Sequence, residues 1–385
     1  MPSTVAGESL RLESPYTAAA LADLVRRCGS PLMVIDCDVV RRQYRRLVAA
    51  LPGVALHYAL KPLPERAVVE TLAAEGACFD LATTGEVELV REAGIAPARC
   101  IHTHPIKRDE DIRAALAFGV TTFVADNPDE VRKFAPHAAQ AELLLRVSFR
   151  SPAAVVDLSR KFGCDPEATP ALIDLAGELG IRVAGLSFHV GSQSRTPDTK
   201  LRAIEACAAI IRERQGRGIC APATLDIGGG FPIDYLEPAT PIEEFCAPIR
   251  AALAALPSGT RVIAEPGRFI CGPAGTVLAT VMGRAFRDGR WWYYLDDGLY
   301  GSYSGQLFDH ARYPVEPLQA AAGPLQPSVL AGPTCDSIDV IAEDIELPPL
   351  QAGDIIVGRQ MGAYTQASAT DFNFFPRART VVVNR

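Results

Sequence analysis

Residues Val54-Ala-Leu-His-Tyr-Ala-Leu-Lys61 carry an apolar run to a single lysine, and Pro62 stops the strand they form. Pro64 then opens a helix that reads to Glu75. A strand, a lysine at its C-terminal tip and a following helix make the repeating unit of a (β/α) barrel, where function gathers at strand ends. A lysine in such a place can be partly desolvated, which lowers its pKa and frees the amine for Schiff-base chemistry. The plainer reading is a lysine that only caps a strand. The segments around it bear on that choice.

Outward from this stretch the unit recurs. Strand-like runs end near Lys61, Asp80, His102, Asp126, Val147, His189, Gly228 and Glu265. Helix starts lie between them. Asn127-Pro128-Asp129-Glu130 places a capping residue before a first-turn proline, and Thr169-Pro170, Thr196-Pro197 and Thr240-Pro241 are expected to repeat the device. The alternation predicts an α/β architecture, a TIM (β/α)8 barrel over 36–270. A doubly wound open sheet has the same periodicity. After Arg268 the texture changes: Thr276–Val281 and Arg290–Leu295 flank the hairpin turn Asp288-Gly289, and short strands follow near Gln326–Leu330, Asp354–Gly358 and Arg379–Val383. Together with a helix over Ala18–Arg27 and a strand over Pro31–Asp36, these predict a second, mostly β domain built from 1–35 and 271–385.

Composition narrows the function. Of 385 residues, 48% are hydrophobic and 22% charged, as in an ordinary globular protein. A net charge of -7 argues against a nucleic-acid partner and suits a small cationic substrate. The ten cysteines form no CxxC pair, which fits reduced thiols in a cytoplasm better than a disulfide framework or a zinc site. The polar N-terminus lacks the apolar core of a signal peptide, and the apolar run near Ala274–Gly283 is too short to span a bilayer. His102 and His104 alternate on one strand without a partner cluster, so no metal site is expected. The chain reads as soluble and cytoplasmic, with no membrane partner.

Three strand ends carry chemistry besides Lys61. Leu225-Asp-Ile-Gly228-Gly229-Gly230-Phe-Pro232 ends the seventh strand, and successive glycines let backbone N–H groups approach an anion; a tight turn requiring positive φ would use the same residues. Glu265-Pro-Gly267-Arg268 ends the eighth, where an acid and an arginine could serve a ring nitrogen and an anion, or simply pair at the rim. Ser187-Phe-His189-Val-Gly-Ser192 ends the sixth with a histidine that could equally be a satisfied core residue. A strand-end lysine, a glycine-rich phosphate loop, an acid for a pyridine nitrogen and an aromatic to stack on a ring together describe a pyridoxal 5'-phosphate site.

Ordered motifs sharpen this. His-Tyr-Ala-Leu-Lys61, Phe79-Asp80-Leu-Ala, Leu158-Ser-Arg-Lys-Phe-Gly163, Ser-Phe-His189-Val-Gly-Ser, Asp-Ile-Gly-Gly-Gly-Phe-Pro and Glu265-Pro-Gly-Arg268 occur in sequence, followed by Asp297-Gly-Leu-Tyr-Gly301, Gly332-Pro-Thr-Cys335-Asp336 and Met361-Gly-Ala-Tyr364. From about Pro31 to Phe375 the chain resembles the ornithine/diaminopimelate/arginine decarboxylase family, the group of pyridoxal phosphate decarboxylases with the alanine racemase fold, and most closely its ornithine branch. The resemblance implies that Lys61 holds the cofactor covalently, Glu265 pairs with its ring nitrogen, and His189 stacks on the ring. It implies that Asp80 and Arg146 support the site, while Ser192, Gly228, Gly229, Gly230, Gly267, Arg268 and Tyr364 bind the phosphate. Cys335 is the implied proton donor to Cα. In this family its loop reaches the partner subunit's site, so the resemblance also implies a homodimer with shared active sites and a β-sandwich or barrel as second domain.

For substrate binding the resemblance implies Phe308, Asp309, Asp336, Tyr364 and Phe372. Two buried carboxylates, Asp309 and Asp336, facing one cation suit a basic amino acid and repel a distal carboxylate; Asp309 taken alone also reads as a helix cap. The implied reaction is decarboxylation of L-ornithine to putrescine. Phe308 stands where many ornithine enzymes have tyrosine, His104 where they usually have asparagine, and His-Val-Gly-Ser-Gln193 is as similar to the diaminopimelate branch. Lysine therefore stays open as a second substrate, and diaminopimelate or a carrier-tethered amino acid as alternatives. A non-catalytic binding relative would be expected to lose Lys61, Glu265, Arg268 or Cys335, all of which are kept.

Overall fold

The computed structural model describes residues 16–149, 154–156, 160–216, 223–319 and 323–385, with backbone only at 154–156. The polar lead 1–15, Leu158 and Ser159 of the 158–163 motif, and Cys220 lie outside the described residues. Two compact units emerge, one of Arg42–Pro232 with Ala239–Phe269 and one of Met1–Arg41, Ile233–Pro238 and Ile270–Arg385.

In the first unit eight parallel strands close into a barrel. In order they are Ala55–Ala59, Cys78–Leu81, Cys100–His102, Thr122–Ala125, Glu142–Val147, Arg182–Phe188, Thr224–Asp226 and Arg261–Ala264. The eighth pairs back onto the first through Ile263↔Ala55 and Ala264↔Leu56, which excludes the open sheet. These strands are apolar on both faces because helices cover the outside and side chains fill the inside. Ile101, Val124, Leu144, Ala184 and Ile263, from five different strands, pack as one cluster with Ala55. Gly185 has no alternative: a Cβ there would lie 2.3 Å from the carbonyl oxygen of Thr224 on the seventh strand.

Helix starts follow the expected chemistry in one case and depart from it in three. Asn127 caps Pro128–Lys133, its side chain accepting the Glu130 N–H at 3.0 Å. Thr169 does not cap. It lies within the helix Thr169–Glu178, which begins behind an αR residue, and its hydroxyl donates instead to the Asp165 carbonyl at 3.1 Å. Thr196 stands two residues before the helix Asp198–Gly216 and donates to the Asp198 carboxylate at 2.8 Å. Pro241, not Thr240, is the N-cap of Ile242–Ala254.

The second unit is an eight-stranded mixed sheet. Its main path runs Val315–Pro317, Ile355–Gly358, Gly275–Arg287, Arg290–Leu295, Gln326–Ala331, Val340–Leu347. The N-terminal strand Leu32–Asp36 joins it, antiparallel to Gly275–Arg287 and parallel to Arg379–Val383. Asp288 and Gly289 both take positive φ, 48° and 76°, the twist-matching geometry of a two-residue hairpin. The strand before that turn runs well beyond Thr276–Val281, with a register shift between Val281 and Gly283. Val340–Leu347 escapes a sequence reading because Glu343, Asp344 and Glu346 break its period-two pattern on a solvent face.

The loop after the third barrel strand is pinned by a buried ion pair. Lys107 Nζ donates to the Val124 carbonyl at 2.6 Å and the His104 carbonyl at 2.9 Å, and meets Glu130 Oε1 at 2.8 Å. Both side chains are about 1% exposed, and Lys133 reaches the second Glu130 oxygen at 2.8 Å. Burial pulls the Lys107 pKa down and Glu130 opposes it. Replacing Glu130 by alanine strands that ammonium, so Glu130→Ala should cost about 3–5 kcal/mol in urea unfolding of the cofactor-free protein. A loss below about 1 kcal/mol would show that the pair is not needed for the loop.

Candidate active site

The barrel brings strand tips together at its C-terminal mouth, and the charged residues found there sense one another. Lys61 follows the first strand with its side chain 43% exposed, and its Nζ lies 3.5 Å from Asp80 Oδ2. Asp80, on the second strand, is buried and accepts from the Thr103 hydroxyl. Burial first, and the nearby Glu265 second, push Asp80 up to about 7, against the pull of Lys61. Glu265 follows the eighth strand, buried, and burial with Asp226 beside it holds its carboxyl well above the usual range. Asp226, at the tip of the seventh strand, is pushed by burial to about 6, while a hydrogen bond from Glu265 and one from the Gly228 N–H at 2.8 Å work the other way. Burial and the neighbouring Asp226 thus both favour the protonated form of Glu265, with Asp226 as its hydrogen-bond partner.

Arg146, from the fifth strand, adds a cation whose field reaches Glu265, Asp126, Asp226 and Asp80. Its guanidinium stands 5.4 Å from the Phe162 ring, and His104 meets the same ring edge-on at 5.6 Å. His189 follows the sixth strand. Its Nδ1 accepts the Gly191 N–H at 3.2 Å, and burial with the cations Arg146, Lys61 and Lys200 holds it neutral, well below its ordinary pKa.

The glycine run is built by close approach from three directions. A Cβ on Gly228 would lie 2.3 Å from the Phe188 carbonyl oxygen, one on Gly229 2.6 Å from that of Glu265, and one on Gly230 2.3 Å from that of Gly191. Gly228 and Gly230 also have φ of +61° and +86°. The Gly229 backbone lies against His189, whose Nε2 would be 3.2 Å from an added Cβ. Arg268, buried at the start of the short helix Arg268–Cys271, donates to Ser192 Oγ at 3.2 Å. Gly267 packs on Pro62, where a Cβ would sit 2.8 Å from the ring Cγ.

Other candidates lie in the β unit. Cys335 is exposed, its thiol donating to Asn373 Oδ1 at 3.3 Å. The Tyr300 hydroxyl donates to Asp336, and Tyr300 stacks on Phe372 at 4.4 Å. Phe308 and Asp309 end the short helix Gly305–Asp309, and Tyr364 takes a left-handed φ of 55°. Within one chain Asp336 and Asp309 are partly buried, and Phe308 is 62% exposed. Phe308 and Cys335 are among the exposed members of this group.

Tyr300, Glu86 and Asp226, all at these sites, were not singled out from sequence. Tyr300 lies inside the Asp297–Gly301 motif, which pointed to the segment but not to the side chain. Glu86 has a legible signal: Thr83-x-x-Glu86 is a capping box, with Thr83 Oγ1 accepting the Glu86 N–H and the Glu86 carboxyl accepting the Ala82 N–H. Burial lifts Glu86 to about 7, and it senses both Asp80 and Lys61.

The mouth fits pyridoxal phosphate on the structure alone. It offers an accessible amine, a buried acid that keeps its proton for a basic ring nitrogen, a neutral ring to stack, and a side-chain-free loop beside Arg268 and Ser192 for an anion. Fold and site thus define a pyridoxal phosphate-dependent enzyme. Residues 37–272 match the pyridoxal-binding domain of the pyridoxal-dependent decarboxylases. The lysine/ornithine decarboxylase of Selenomonas ruminantium is 35% identical over 93% of this chain and 91% of its own. A Vibrio vulnificus lysine/ornithine decarboxylase, solved with putrescine, is 55% identical, superposes with a TM-score of 0.92, and covers 97% of this chain and 99% of its own. The same enzyme solved with cadaverine gives 0.91 at 55% identity, over 95% and 96%. The chain belongs to the ornithine, lysine and arginine decarboxylase family of pyridoxal phosphate enzymes.

The raised carboxyls make a pH prediction. Asp80 moves from an ordinary 3.8 to about 7 on folding, so the folded chain holds a proton that the unfolded chain releases between these values. Its contribution to stability is present at low pH and is lost as pH rises through that window. Urea midpoints of the cofactor-free protein, taken between pH 5 and 8, should fall less for Asp80→Asn than for the parent. An equal or steeper fall in the variant would contradict the assignment.

Proposed function

We propose that the chain decarboxylates L-ornithine to putrescine and accepts L-lysine as a second substrate, as a cytoplasmic homodimer with shared active sites. The observation that carries this is the 55% identity, over nearly the whole chain, to a decarboxylase solved with both putrescine and cadaverine. Asp336 and Asp309 support it: a distal ammonium placed between two carboxylates is favoured, and a distal carboxylate there is repelled. Bound pyridoxal phosphate supplies a sink for the electron pair left on Cα when carbon dioxide departs.

Each residue then has a defined task. Lys61 anchors the cofactor, and its neighbour Asp80 steadies the amine. Glu265 would pair with the ring nitrogen as its counter-ion. His189, neutral, stacks on the ring without adding charge. Gly228, Gly229, Gly230, Ser192, Gly267, Arg268 and Tyr364 receive the phosphate. The Cys335 thiol returns a proton to Cα, and Phe308, Tyr364 and Phe372 line the substrate beside the two aspartates. The barrel would then span 36–270, and the remainder would carry the proton donor and the distal contacts. Cys335 and Phe308 are exposed in one chain, which supports a second copy as what covers them.

Two experiments test this. Lys61→Ala and Cys335→Ala should each be inactive alone. After subunit exchange about a quarter of wild-type activity should return, because heterodimers are half of all dimers and carry one intact site of two. No recovery after demonstrated exchange would place each site within one chain. Ornithine, lysine, arginine and meso-diaminopimelate should then be compared at equal concentration. Ornithine is expected fastest with lysine next, since one methylene changes binding by only about 1–3 kcal/mol. Asp336→Ala should raise KM for ornithine while cofactor absorbance is retained. Fastest turnover of diaminopimelate, or of none of the four, would refute the distal-site reading.

A further inference from the structure

Lys200 takes no part in the chemistry above, yet it is among the most deeply buried charged residues of the chain, 1% exposed. It lies in the first turn of the helix Asp198–Gly216 and points beneath the glycine-rich loop. Its Nζ donates to the Ile227 carbonyl at 2.6 Å and the Gly229 carbonyl at 3.0 Å. The Phe231 ring lies 4.9 Å away and the Phe188 ring 5.6 Å. A lysine buried so completely is costly unless its donors are met, and here carbonyls and aromatic faces meet them.

The carbonyl contacts fix more than the lysine. The Gly229–Gly230 peptide is planar and trans, so a carbonyl held on the ammonium turns the Gly230 N–H to the opposite side. The Gly228 N–H is already engaged by Asp226 at 2.8 Å, so the Gly230 amide is the one whose direction Lys200 sets through the Gly229 carbonyl. Glycine itself imposes little preference on that peptide, so an external hold is what orients it. A positive charge behind oriented amides adds to the attraction that a nest of backbone N–H groups exerts on an anion.

We propose that Lys200 is a positioning residue of the cofactor site, holding the Gly228–Gly230 backbone from below and giving the loop its selectivity for a phosphate dianion. This rests on reading that loop as the phosphate cradle. The charged and titratable groups that act on or sense Lys200 are Asp226 at the seventh strand tip, Glu265 after the eighth, Cys246 on the helix Ile242–Ala254 and His189 after the sixth. Burial brings the Lys200 ammonium down to about 8 in the cofactor-free chain, with Asp226, Cys246 and Glu265 opposing. A bound phosphate dianion favours the protonated form. Phosphate affinity is therefore full below that pH and declines as pH rises through it.

The test compares pyridoxal phosphate with pyridoxal, which lacks the phosphate, binding to the cofactor-free protein by absorbance titration. Pyridoxal closes largely to an internal hemiacetal in water, an offset common to parent and variant, so the change in the affinity ratio of the two ligands isolates the phosphate site. Lys200→Met keeps the side-chain length and removes the charge. It should weaken pyridoxal phosphate by about tenfold to a hundredfold, the range for a lost charged hydrogen bond, and leave pyridoxal unchanged. In the wild-type protein the ratio should fall with a midpoint near pH 8, and Lys200→Met should show a flat profile. Equal losses for the two ligands, an unchanged ratio, or a flat wild-type profile would each overturn the proposal. The wild-type profile decides alone if the variant does not fold. Ser192→Ala separates the two levels: if it lowers the ratio and Lys200→Met does not, the cradle stands and Lys200 has no part in it. If neither lowers it, the cradle reading has failed.

Discussion

Three carboxyls, Asp80, Asp226 and Glu265, are held out of water at the strand tips of one closed barrel, and none can ionise without meeting the field of another. Each is raised first by burial, and each next neighbour adds to the effect: Glu265 on Asp80, Asp226 on Glu265, Asp80 on Asp226. Such an arrangement is unfavourable by itself, because buried like charges disfavour ionisation. It becomes useful when a cationic ring nitrogen and an amine complete it. Lys61, Arg146 and Lys200 are the cations already in place, and their fields reach His189 too and keep it neutral. The same burial thus makes an acid of Glu265 and a neutral ring of His189, two protonation states set by one environment.

The β unit follows a different logic. Its candidate groups are held by local hydrogen bonds at the surface. Asp339 is buried and accepts from Leu299 N–H at 2.7 Å and from both the N–H and the hydroxyl of Thr334, at 3.0 and 2.7 Å. One carboxylate therefore ties the Asp297–Gly301 segment to the loop that carries Cys335 and Asp336. Asn373, in a left-handed conformation, accepts from both the backbone and the thiol of Cys335. Conformation is fixed there by side chains that cap loops, where the barrel relies on strand pairing.

This contrast explains what could be read from the sequence. Most of the eight strand ends were legible because a mainly apolar run stops at a polar or glycine residue, as Val54–Lys61 does. Asn127 was legible as a cap, but Thr169, Thr196 and Thr240 have the same local pattern and do not cap, because the helix register is decided by neighbours the pattern does not contain. The strand Val340–Leu347 was hidden by its acids, and the exposure of Asp336 and Phe308 depends on which segments cover them, which no local pattern records. Lys200 was invisible for a related reason. A lysine in the first turn of a helix ordinarily faces water, and only the tertiary fold turns this one inwards.

The glycine run closes off a route by which the cofactor loop could diversify. Each of its three positions is blocked by a different backbone carbonyl, from Phe188, Glu265 and Gly191. No compensating change at one neighbour would admit a side chain at all three. A mutational library spread over 228–230 should therefore return only glycine at each position, and variation in cofactor selectivity has to enter from the residues that surround the loop.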